Sequence, residues 1–249
     1  MTAGSTARRV HVIGASSGIG RAVVTDLAGR GLQVVAAARR RDRLDELAAE
    51  HPGRVHADTL DLAADGEPEA GVRRAVELLG GIDAVVVAAG LPTMAHLRDS
   101  DARLWRDVLQ VNVVGPALAA TEAARHLAPG GRVLLVSSCS APRAWPRLVP
   151  YASAKSALET FAVGLQQEEP HVNVTVVGLG PADTEAQSDW GVDLLREAYR
   201  DWRRGGFLEG PEQMTAADVA RVLGDLLLSP LRVPRVDLMP DHAVAKAPA

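Results

Sequence analysis

Tyr151 and Lys155 are the residues of this chain whose types and spacing most directly suggest chemistry. On a helix, residues four apart share one face, so the phenol and the ammonium would stand one turn from each other. A tyrosine ordinarily has a pKa of about 10, and a cation within about 4–6 Å lowers that pKa by favouring the phenolate. We therefore predict that Lys155 lowers the pKa of Tyr151, which then acts as a general acid and base. The alternative is a packed tyrosine beside a solvated lysine.

Ser138 precedes Tyr151 and directly follows an apolar segment, residues 132–137, that predicts a buried strand. A serine in this position often only caps or turns the chain. Beside Tyr151, its hydroxyl would instead bind a substrate carbonyl or hydroxyl and hold it for proton transfer. Cys139 comes next, and no histidine base is near it in the sequence. We therefore expect its thiol to form part of a pocket wall rather than to act as a nucleophile.

A glycine-rich turn near the N-terminus has the sequence Gly14-Ala15-Ser16-Ser17-Gly18-Ile19-Gly20 and joins a predicted strand to a predicted helix. Glycines permit a tight turn and let backbone N–H groups approach a diphosphate, which the N-terminus of a helix attracts. The turn therefore predicts nucleotide binding. The expected contacts are Gly14, Ser16, Ser17, Gly18, Ile19 and Gly20.

The end of the second predicted strand favours one type of dinucleotide. A site for NAD normally has a carboxylate there, which binds the ribose 2′-hydroxyl. This chain has Ala38 at that position, followed by Arg39. With no acid to repel a 2′-phosphate and a guanidinium to bind it, NADP(H) is favoured over NAD(H). The alternative for Arg39 is a solvated basic helix start, which is our interpretation of Arg40, Arg41 and Arg43.

Strands and helices alternate around these motifs along most of the chain. Strands are predicted over residues 10–13, 33–38, 54–58, 84–88, 132–137, 173–177 and 233–238. Helices are predicted after the glycine turn and over residues 42–50, 69–79, 101–127, 151–168, 188–204 and 216–228. This alternation predicts one doubly wound α/β domain over residues 1–249, with about seven parallel strands and helices on both faces. Ligands bind such sheets at the carboxyl ends of the strands, where Asp61 and Leu62 would meet an adenine edge.

Composition excludes several other classes of function. The net charge of −4 gives no general attraction to nucleic acid or to an anionic membrane. No apolar segment approaches the length of about 18 residues that a membrane span needs, and the first nine residues do not resemble a signal peptide. With a single cysteine and no internal disulfide, we expect a cytoplasmic protein. The seven histidines are scattered, so no metal site is predicted.

Taken together, these motifs resemble those of the short-chain dehydrogenase/reductase family. The resemblance extends from Val10 to about Ser229 and rests on five motifs in order. They are the glycine turn, Val111-Asn112-Val113-Val114-Gly115, Ser138, Tyr151-x-x-x-Lys155 and Gly180-Pro181-Ala182-Asp183-Thr184. The resemblance implies a Rossmann-type fold and an NADP(H)-dependent oxidoreductase that transfers hydride between nicotinamide C4 and a carbonyl carbon.

The same resemblance assigns roles to individual residues. Tyr151 would supply or remove the proton, and Lys155 would lower its pKa and bind the nicotinamide ribose. Ser138 would position and polarise the reacting oxygen, while Asn112 would hold a water on the proton path. Thr184 would contact the carboxamide of the nicotinamide. Further cofactor contacts are expected at Gly180 and at Ala89 and Gly90, which stand in Ala88-Ala89-Gly90 where the family has Asn-Ala-Gly.

Aromatic residues indicate the kind of substrate. Six of the eight Trp, Tyr and Phe residues lie either beside Ser138 or after Thr184, in a segment that by resemblance is a substrate lid over about residues 185–210. Aromatic faces there would suit a bulky apolar or aromatic ligand, although they could instead only anchor the lid helix. Arg143 and Arg147 could meet an acidic substrate group. Candidate substrate contacts are Cys139, Ser140, Trp145, Trp190, Tyr199 and Trp202.

We therefore predict an NADP(H)-dependent oxidoreductase that reduces a bulky ketone or aldehyde, or oxidises the matching alcohol. One alternative is an epimerase or dehydratase of the same fold that holds its nicotinamide tightly. Another is a regulator that binds a nucleotide without chemistry. The resemblance also implies a homodimer or homotetramer, formed where the helices over 101–127 and 151–168 pair between subunits. The expected partner is a small carbonyl or alcohol substrate, with no nucleic acid and no membrane.

Overall fold

The computed structural model describes residues 9–185, 190–208 and 213–241. The strands are β1 Arg9–Ile13, β2 Gln33–Ala38, β3 Val55–Thr59, β4 Ala84–Val87, β5 Arg132–Val136, β6 Asn173–Leu179, β7 Ala182–Asp183, β8 Met214–Thr215 and β9 Arg235–Leu238. The helices are α1 Gly18–Gly29, α2 Arg41–Glu50, α3 Glu67–Leu79, α4 Ala102–Leu109, α5 Gly115–His126, α6 Val149–Glu168, α7 Val192–Arg204 and α8 Ala216–Leu228. Parts of the predicted domain and lid, at 1–8, 186–189, 209–212 and 242–249, lie outside the described residues.

Seven of the strands form one parallel sheet in the order β3-β2-β1-β4-β5-β6-β9. Its central strand β4 is a continuous apolar run, and all four of its residues are buried because helices cover both faces of the sheet. One core lies under α1, α2 and α8, and the other under α3, α5 and α6. The predicted fold class is confirmed. The order of the strands reverses between β1 and β4, and such a reversal opens a crevice at their carboxyl ends.

The long helix predicted over residues 101–127 is interrupted. A π-helical turn, Gln110–Val114, joins α4 to α5 and inserts extra chain into an otherwise α-helical path. In the widened turn, the side-chain Nδ2 of Asn112 donates a hydrogen bond to the backbone carbonyl of Val108 at 2.9 Å. The π turn therefore turns Asn112 inward while α5 keeps its alanine face against the sheet.

A second, two-stranded parallel sheet of β7 and β8 was not predicted from the sequence. It ties the segment that follows β6 to the start of α8. Thr215 ends β8 and caps α8, because its side-chain oxygen accepts a hydrogen bond from the backbone N–H of Asp218. The small sheet thus holds the chain on both sides of α7 near the carboxyl end of β6.

Candidate active site

A cleft of about 190 Å³ lies at the carboxyl ends of β4, β5 and β6. Tyr151 and Lys155 reach it from α6, Ser138 from the end of β5, and Gly90 from the end of β4. The structure therefore brings together motifs that are far apart in the sequence. The other predicted residues that line the cleft are Ile19, Ala89, Cys139, Ser140, Trp145, Gly180, Thr184, Trp190, Tyr199 and Trp202.

Two serines lie in the cleft with Tyr151. Tyr151 lies in the first turn of α6, which begins at Val149 and has Pro150 near its start, as is common for helices. Its phenol lies close enough to the Ser138 side chain for that side chain to favour the charged form of Tyr151 and so to lower its pKa. The Ser138 Oγ in turn lies 2.9 Å from the Ser140 Oγ and accepts the Ser140 backbone N–H at 3.1 Å. Ser138 is therefore held in one orientation beside the phenol.

Lys155 is buried at the bottom of the cleft, with only 2% of its surface exposed. Its Nζ donates to the backbone carbonyl of Val136 at 2.8 Å and lies 5.7 Å from the centre of the Tyr151 ring. Burial lowers the pKa of Lys155 to about 8, against a smaller opposing effect from the charge of Glu159. Lys155 therefore loses its proton, and with it its positive charge, at a lower pH than an exposed lysine does.

The predicted lowering of the Tyr151 pKa is wrong for the chain by itself. Burial raises the pKa of Tyr151 above its ordinary value, and the Ser138 side chain only partly opposes this. The sequence argument counted the attraction of Lys155 but not the loss of water around the phenol. The chain thus keeps Tyr151 as a neutral phenol, which is the form that can donate a proton.

Asn112 lies behind the cleft, fully buried in the π turn. Its Oδ1 accepts the backbone N–H of Leu91 at 3.0 Å, and its Nδ2 donates to the Leu91 carbonyl at 3.2 Å. Gly90 separates this amide from Lys155, because a Cβ added there would lie 3.1 Å from the Asn112 Oδ1 and 3.5 Å from the Lys155 Nζ. The structure places Asn112 next to Lys155 and holds it by backbone groups.

The glycine turn lets three backbones come together. Gly14 has a φ of +92°, and a Cβ there would overlap the backbone of Ala89 at the end of β4. A Cβ on Gly20 would overlap the carbonyl of Gly14. At the start of α1, Gly18 lies close to the side chain of Thr184, which a Cβ would approach to 3.3 Å. The turn is thus narrow, has no side chain at Gly14, Gly18 and Gly20, and leads into the N-terminus of α1.

Arg40, rather than Arg39, lies over this turn. Its Nη2 donates to the Oγ of Ser17 at 2.6 Å and to the Oγ of Ser16 at 3.0 Å. Arg39 is exposed. Arg43 donates to Glu185 at 2.6 Å, so the interpretation of Arg40 and Arg43 as merely solvated is wrong. Which arginine faces the turn depends on where α2 begins, and the sequence does not locate that point to one residue.

Asp61 and Leu62 have local structural partners. The Asp61 Oδ1 accepts the backbone N–H of Ala63 at 2.9 Å and so shapes the turn after β3. Leu62 is buried, and its backbone lies against Gly115, where a Cβ would overlap it. Asp61 remains at the carboxyl end of the sheet as expected, and Leu62 joins that edge to the start of α5.

Four aromatic side chains form the wall of the cleft on the α7 side. Trp145 and Trp202 are buried with ring centres 5.2 Å apart, and Tyr199 lies 5.3 Å from Trp202. The indole N–H of Trp202 donates to the Pro146 carbonyl at 2.8 Å. Trp190 donates likewise to the Pro92 carbonyl at 2.6 Å. These side chains therefore both line the cleft and anchor α7, so the two alternatives from the sequence coexist.

Arg143 and Arg147 contact α7 and the residues just after it, and they do not line the cleft. Arg147 binds Asp201 at 2.5 Å and Glu197 at 3.1 Å, and its backbone takes the left-handed conformation with a φ of +69°. Arg143 donates to the Gly205 carbonyl at 2.7 Å and lies over an aromatic ring. The suggestion that the two guanidiniums await an acidic substrate group is therefore wrong.

Cys139 is a neutral group of the cleft wall. Burial raises the pKa of its thiol to about 11, which leaves almost no thiolate at neutral pH. This agrees with its prediction as part of a pocket wall. Among the described residues, no group of histidines, cysteines and carboxylates could hold a metal ion. No helix within these same ranges is both long and apolar enough to cross a membrane.

The model of the short chain dehydrogenase family matches residues 8–194, which include the glycine turn, Ser138, Tyr151, Lys155 and Thr184. The chain belongs to the short-chain dehydrogenase family. It is therefore an oxidoreductase, and the resemblance drawn from the motifs is confirmed. The family match ends at residue 194, in the first turn of α7, so Tyr199 and Trp202 of the aromatic wall lie beyond it.

Individual members of the short-chain dehydrogenase family are similar to this chain over most of its length. A short-chain dehydrogenase/reductase of a Cladobotryum species is 30% identical over 223 residues, which cover 86% of each chain. Versicolorin reductase of Emericella nidulans is 34% identical over 175 residues, covering 68% of this chain and 66% of that protein. A Burkholderia cenocepacia short chain dehydrogenase, solved in complex with NADP, has a TM-score of 0.82 at 28% identity and covers 93% of this chain and 95% of its own.

Several residues of this short-chain dehydrogenase site were missed from the sequence. Arg40 could have been found from its position just after β2, but four arginines within five residues concealed it. Glu185 carried no motif. Other residues of the cleft wall that were missed are apolar and have no chemical signature in the sequence; they include Pro92, Leu148, Leu179 and Leu208.

Proposed function

We propose that this short-chain dehydrogenase uses NADP(H) to reduce a ketone or aldehyde with an apolar or aromatic body, or to oxidise the matching alcohol. The observation that supports this most directly is that the hydrogen-bonded pair Ser138 and Ser140 lines one cleft together with Tyr151 and Lys155. The glycine turn borders this set on one side and the aromatic wall borders it on the other. A hydride donor and a carbonyl can therefore meet between them.

The residues present fit a phosphorylated dinucleotide. The narrow turn from Gly14 to Gly20, with α1 behind it, suits the diphosphate. Arg40 with the hydroxyls of Ser16 and Ser17 forms a cationic, hydrogen-bonding corner at the end of β2, where a 2′-phosphate would bind. Lys155 would bind the nicotinamide ribose. The NADP complex of the Burkholderia cenocepacia relative supports the same choice of cofactor.

Further contacts of the cofactor are proposed from their places around the cleft. Thr184 lies beside Gly18 and would contact the carboxamide of the nicotinamide. Ala89 and Gly90, after β4, have no side chain larger than a methyl group and so leave room for the ribose near Lys155. Arg39 and Asp61 remain candidates for the adenosine end. Both lie at the same edge of the sheet as Arg40.

The protein groups supply orientation and the proton. When bound, the nicotinamide supplies or accepts the hydride. The Ser138 hydroxyl donates a hydrogen bond to the reacting oxygen, and Ser140 holds Ser138 in the orientation that allows this. Tyr151, kept neutral by burial, donates its proton to that oxygen during reduction. Lys155 then stabilises the phenolate, and Asn112 beside it would hold the water through which the proton is replaced.

The cleft limits the size and polarity of the substrate. Its volume of about 190 Å³ is below the usual range of about 300–1,000 Å³ for drug-sized ligands. The nicotinamide would occupy part of it, since Gly90, Gly180 and Thr184 line the same cleft, and we therefore expect the reacting end of the substrate to be compact. Trp145, Trp190 and Tyr199 offer flat apolar surfaces to the rest of the molecule. We expect a bulky body to extend past α7 towards solvent. The similarity to a versicolorin reductase supports reduction as the direction of the reaction.

A cofactor titration followed by a carbonyl panel tests the proposal. Binding of NADPH and NADH is measured by nicotinamide fluorescence, and turnover by the loss of absorbance of the reduced cofactor. We expect tighter binding of NADPH, and net oxidation with aromatic ketones that exceeds oxidation with small aliphatic ones. A cofactor that stays bound without net oxidation, while the substrate is epimerised or dehydrated, would show that the proposed reaction is wrong.

We also infer that the chain assembles into a homodimer or homotetramer. The outer surface of the α4–α5 helix pair and of α6 carries apolar side chains that solvent reaches, and such residues together favour association. They are Leu109, Val114, Leu118 and Val163. Light scattering at two protein concentrations measures the mass, and a monomer at both would show that the inference is wrong.

A further inference from the structure

Glu185 reaches across the nucleotide end of the cleft. Its Oε2 accepts a hydrogen bond from the Nη1 of Arg43 at 2.6 Å and lies 3.5 Å from the Nη1 of Arg40. Glu185 directly follows Thr184, which lies against Gly18 in the glycine turn. A carboxylate from the segment after β6 is thus brought to the two arginines at the start of α2, on the far side of that turn.

Arg40 is shared between this carboxylate and the turn. Its Nε and Nη2 are directed to the Ser16 Oγ, and Nη2 also to the Ser17 Oγ, while Nη1 faces Glu185. A guanidinium has a fixed fork of donors that suits a carboxylate and a phosphate equally well in shape. A phosphate that binds Arg40 and Arg43 would therefore need the same N–H groups that Glu185 now accepts.

We propose that Glu185 is a specificity-determining residue for the dinucleotide, because its carboxylate competes with the 2′-phosphate for Arg40 and Arg43. It therefore weakens the binding of a phosphorylated dinucleotide and leaves an unphosphorylated one nearly unaffected. This inference rests on the proposed function, since it requires the adenosine ribose to lie at the end of β2.

The charges of the carboxylate and the phosphate determine which of them binds the two arginines. The hydrogen bond from Arg43 holds the pKa of Glu185 below its ordinary value, so the carboxylate is charged throughout the neutral range. A phosphate monoester carries more negative charge than a carboxylate at pH 7, and it displaces Glu185 from the arginines. The ion pair is exposed, and exposed pairs are weak and are screened by salt. The competition is therefore modest and sensitive to ionic strength.

Replacing Glu185→Gln tests this without any reaction. Isothermal titration measures the binding of adenosine 2′,5′-bisphosphate and of adenosine 5′-monophosphate to the full chain. We expect the variant to bind the bisphosphate about two- to fivefold more tightly and the monophosphate unchanged, and we expect the gain to vanish at high salt. Asp183→Asn is the matched control, because it removes one negative charge from the same exposed segment without touching the arginines.

A double-mutant cycle locates the effect. In an Arg43→Gln background, Glu185→Gln should give a smaller gain for the bisphosphate, because one of the two shared cations is missing. An equal gain for both nucleotides, a weaker affinity in Glu185→Gln, or an equal gain in Asp183→Asn would overturn the inference while leaving the proposed function intact. If the wild-type chain binds neither nucleotide, the proposed function itself fails.

Discussion

The two walls of the cleft are held in place by different kinds of contact. On the catalytic wall, Ser138 follows directly from β5 and Lys155 is bonded to the carbonyl of Val136 in that strand. These positions are determined by the backbone of the central sheet. A substitution elsewhere on the surface does not move them, because the strands on either side are buried and hydrogen-bonded along their length.

The α7 wall is held by the small sheet of β7 and β8 on either side of it and otherwise mainly by side chains. Trp202 and Trp190 donate to single proline carbonyls, and Arg147 binds two carboxylates of α7. Sheet hydrogen bonds do not depend on residue type, whereas each of these side-chain contacts is lost when its residue is replaced. The difference teaches that single substitutions should disturb the α7 wall more readily than the frame of the catalytic wall.

The largest expected effect is on the catalytic wall. Tyr151→Phe removes the proton donor and should reduce turnover by about 10²–10⁴-fold, the usual contribution of a general acid or base. The ring remains, so the fold and nucleotide binding should be retained. Circular dichroism and nicotinamide fluorescence measure both.

Tyr199→Phe is the matched control, because it removes the other tyrosine hydroxyl of the chain from the α7 wall, where Gln213 donates to it at 3.3 Å. We expect it to keep nearly full turnover. If Tyr151→Phe behaved like Tyr199→Phe, the proposed proton donor would be wrong.

Trp202→Ala should weaken the other wall selectively. Replacing a buried tryptophan by alanine costs about 3–5 kcal/mol. Because Trp202 packs under α7 and donates a hydrogen bond to the Pro146 carbonyl, we expect this loss to lower the free energy needed to open α7. We expect KM for the ketone to rise more than kcat falls. Hydrogen exchange should be faster in α7 and unchanged in β4 and β5, and Trp202→Phe should recover part of the protection. Equal loss of protection in the central strands would contradict the independence of the two walls.

A smaller effect is expected in the sheet itself, at His11 in the middle of β1. His11 is fully buried, neither ring nitrogen has a hydrogen-bond partner among the described residues, and burial, with a lesser effect of Arg74, lowers its pKa to about 3. The unfolded chain binds a proton at its ordinary pKa of about 6.5, so acid favours unfolding below that pH. Between pH 7 and pH 5, this histidine alone should reduce the free energy of unfolding by about 2 kcal/mol.

Denaturant unfolding at the two pH values measures this loss. His11→Leu should remove that part of the acid sensitivity, since leucine has no proton to gain and suits an apolar site. His56→Gln, which removes a histidine from β3, should retain it. An unchanged pH dependence in His11→Leu would show that other groups cause the acid loss of stability.

The fold and the catalytic wall were predictable because they depend on periodic patterns and on residues fixed by strand ends. Apolar runs alternating with helices gave the sheet, and Ser138, Tyr151 and Lys155 followed from short spacings. The raised pKa of Tyr151 was not predictable, since it depends on burial. Nor was the role of Arg147, because its partners on α7 lie about fifty residues away in the sequence. That Arg40 rather than Arg39 lies over the glycine turn was also not predictable, because it depends on the exact residue at which α2 begins.

The widened turn at Gln110–Val114 has a consequence for how the chain tolerates change. Each residue of an α-helix advances the direction of its side chains by about 100°. The widened turn spreads one extra residue over a single turn, so deleting one residue here would restore a regular helix with about the same total rotation. Ala119 and Ala123 would therefore still face the sheet. Asn112, in contrast, would lose the position from which its side chain binds the carbonyl of Val108 and the backbone of Leu91.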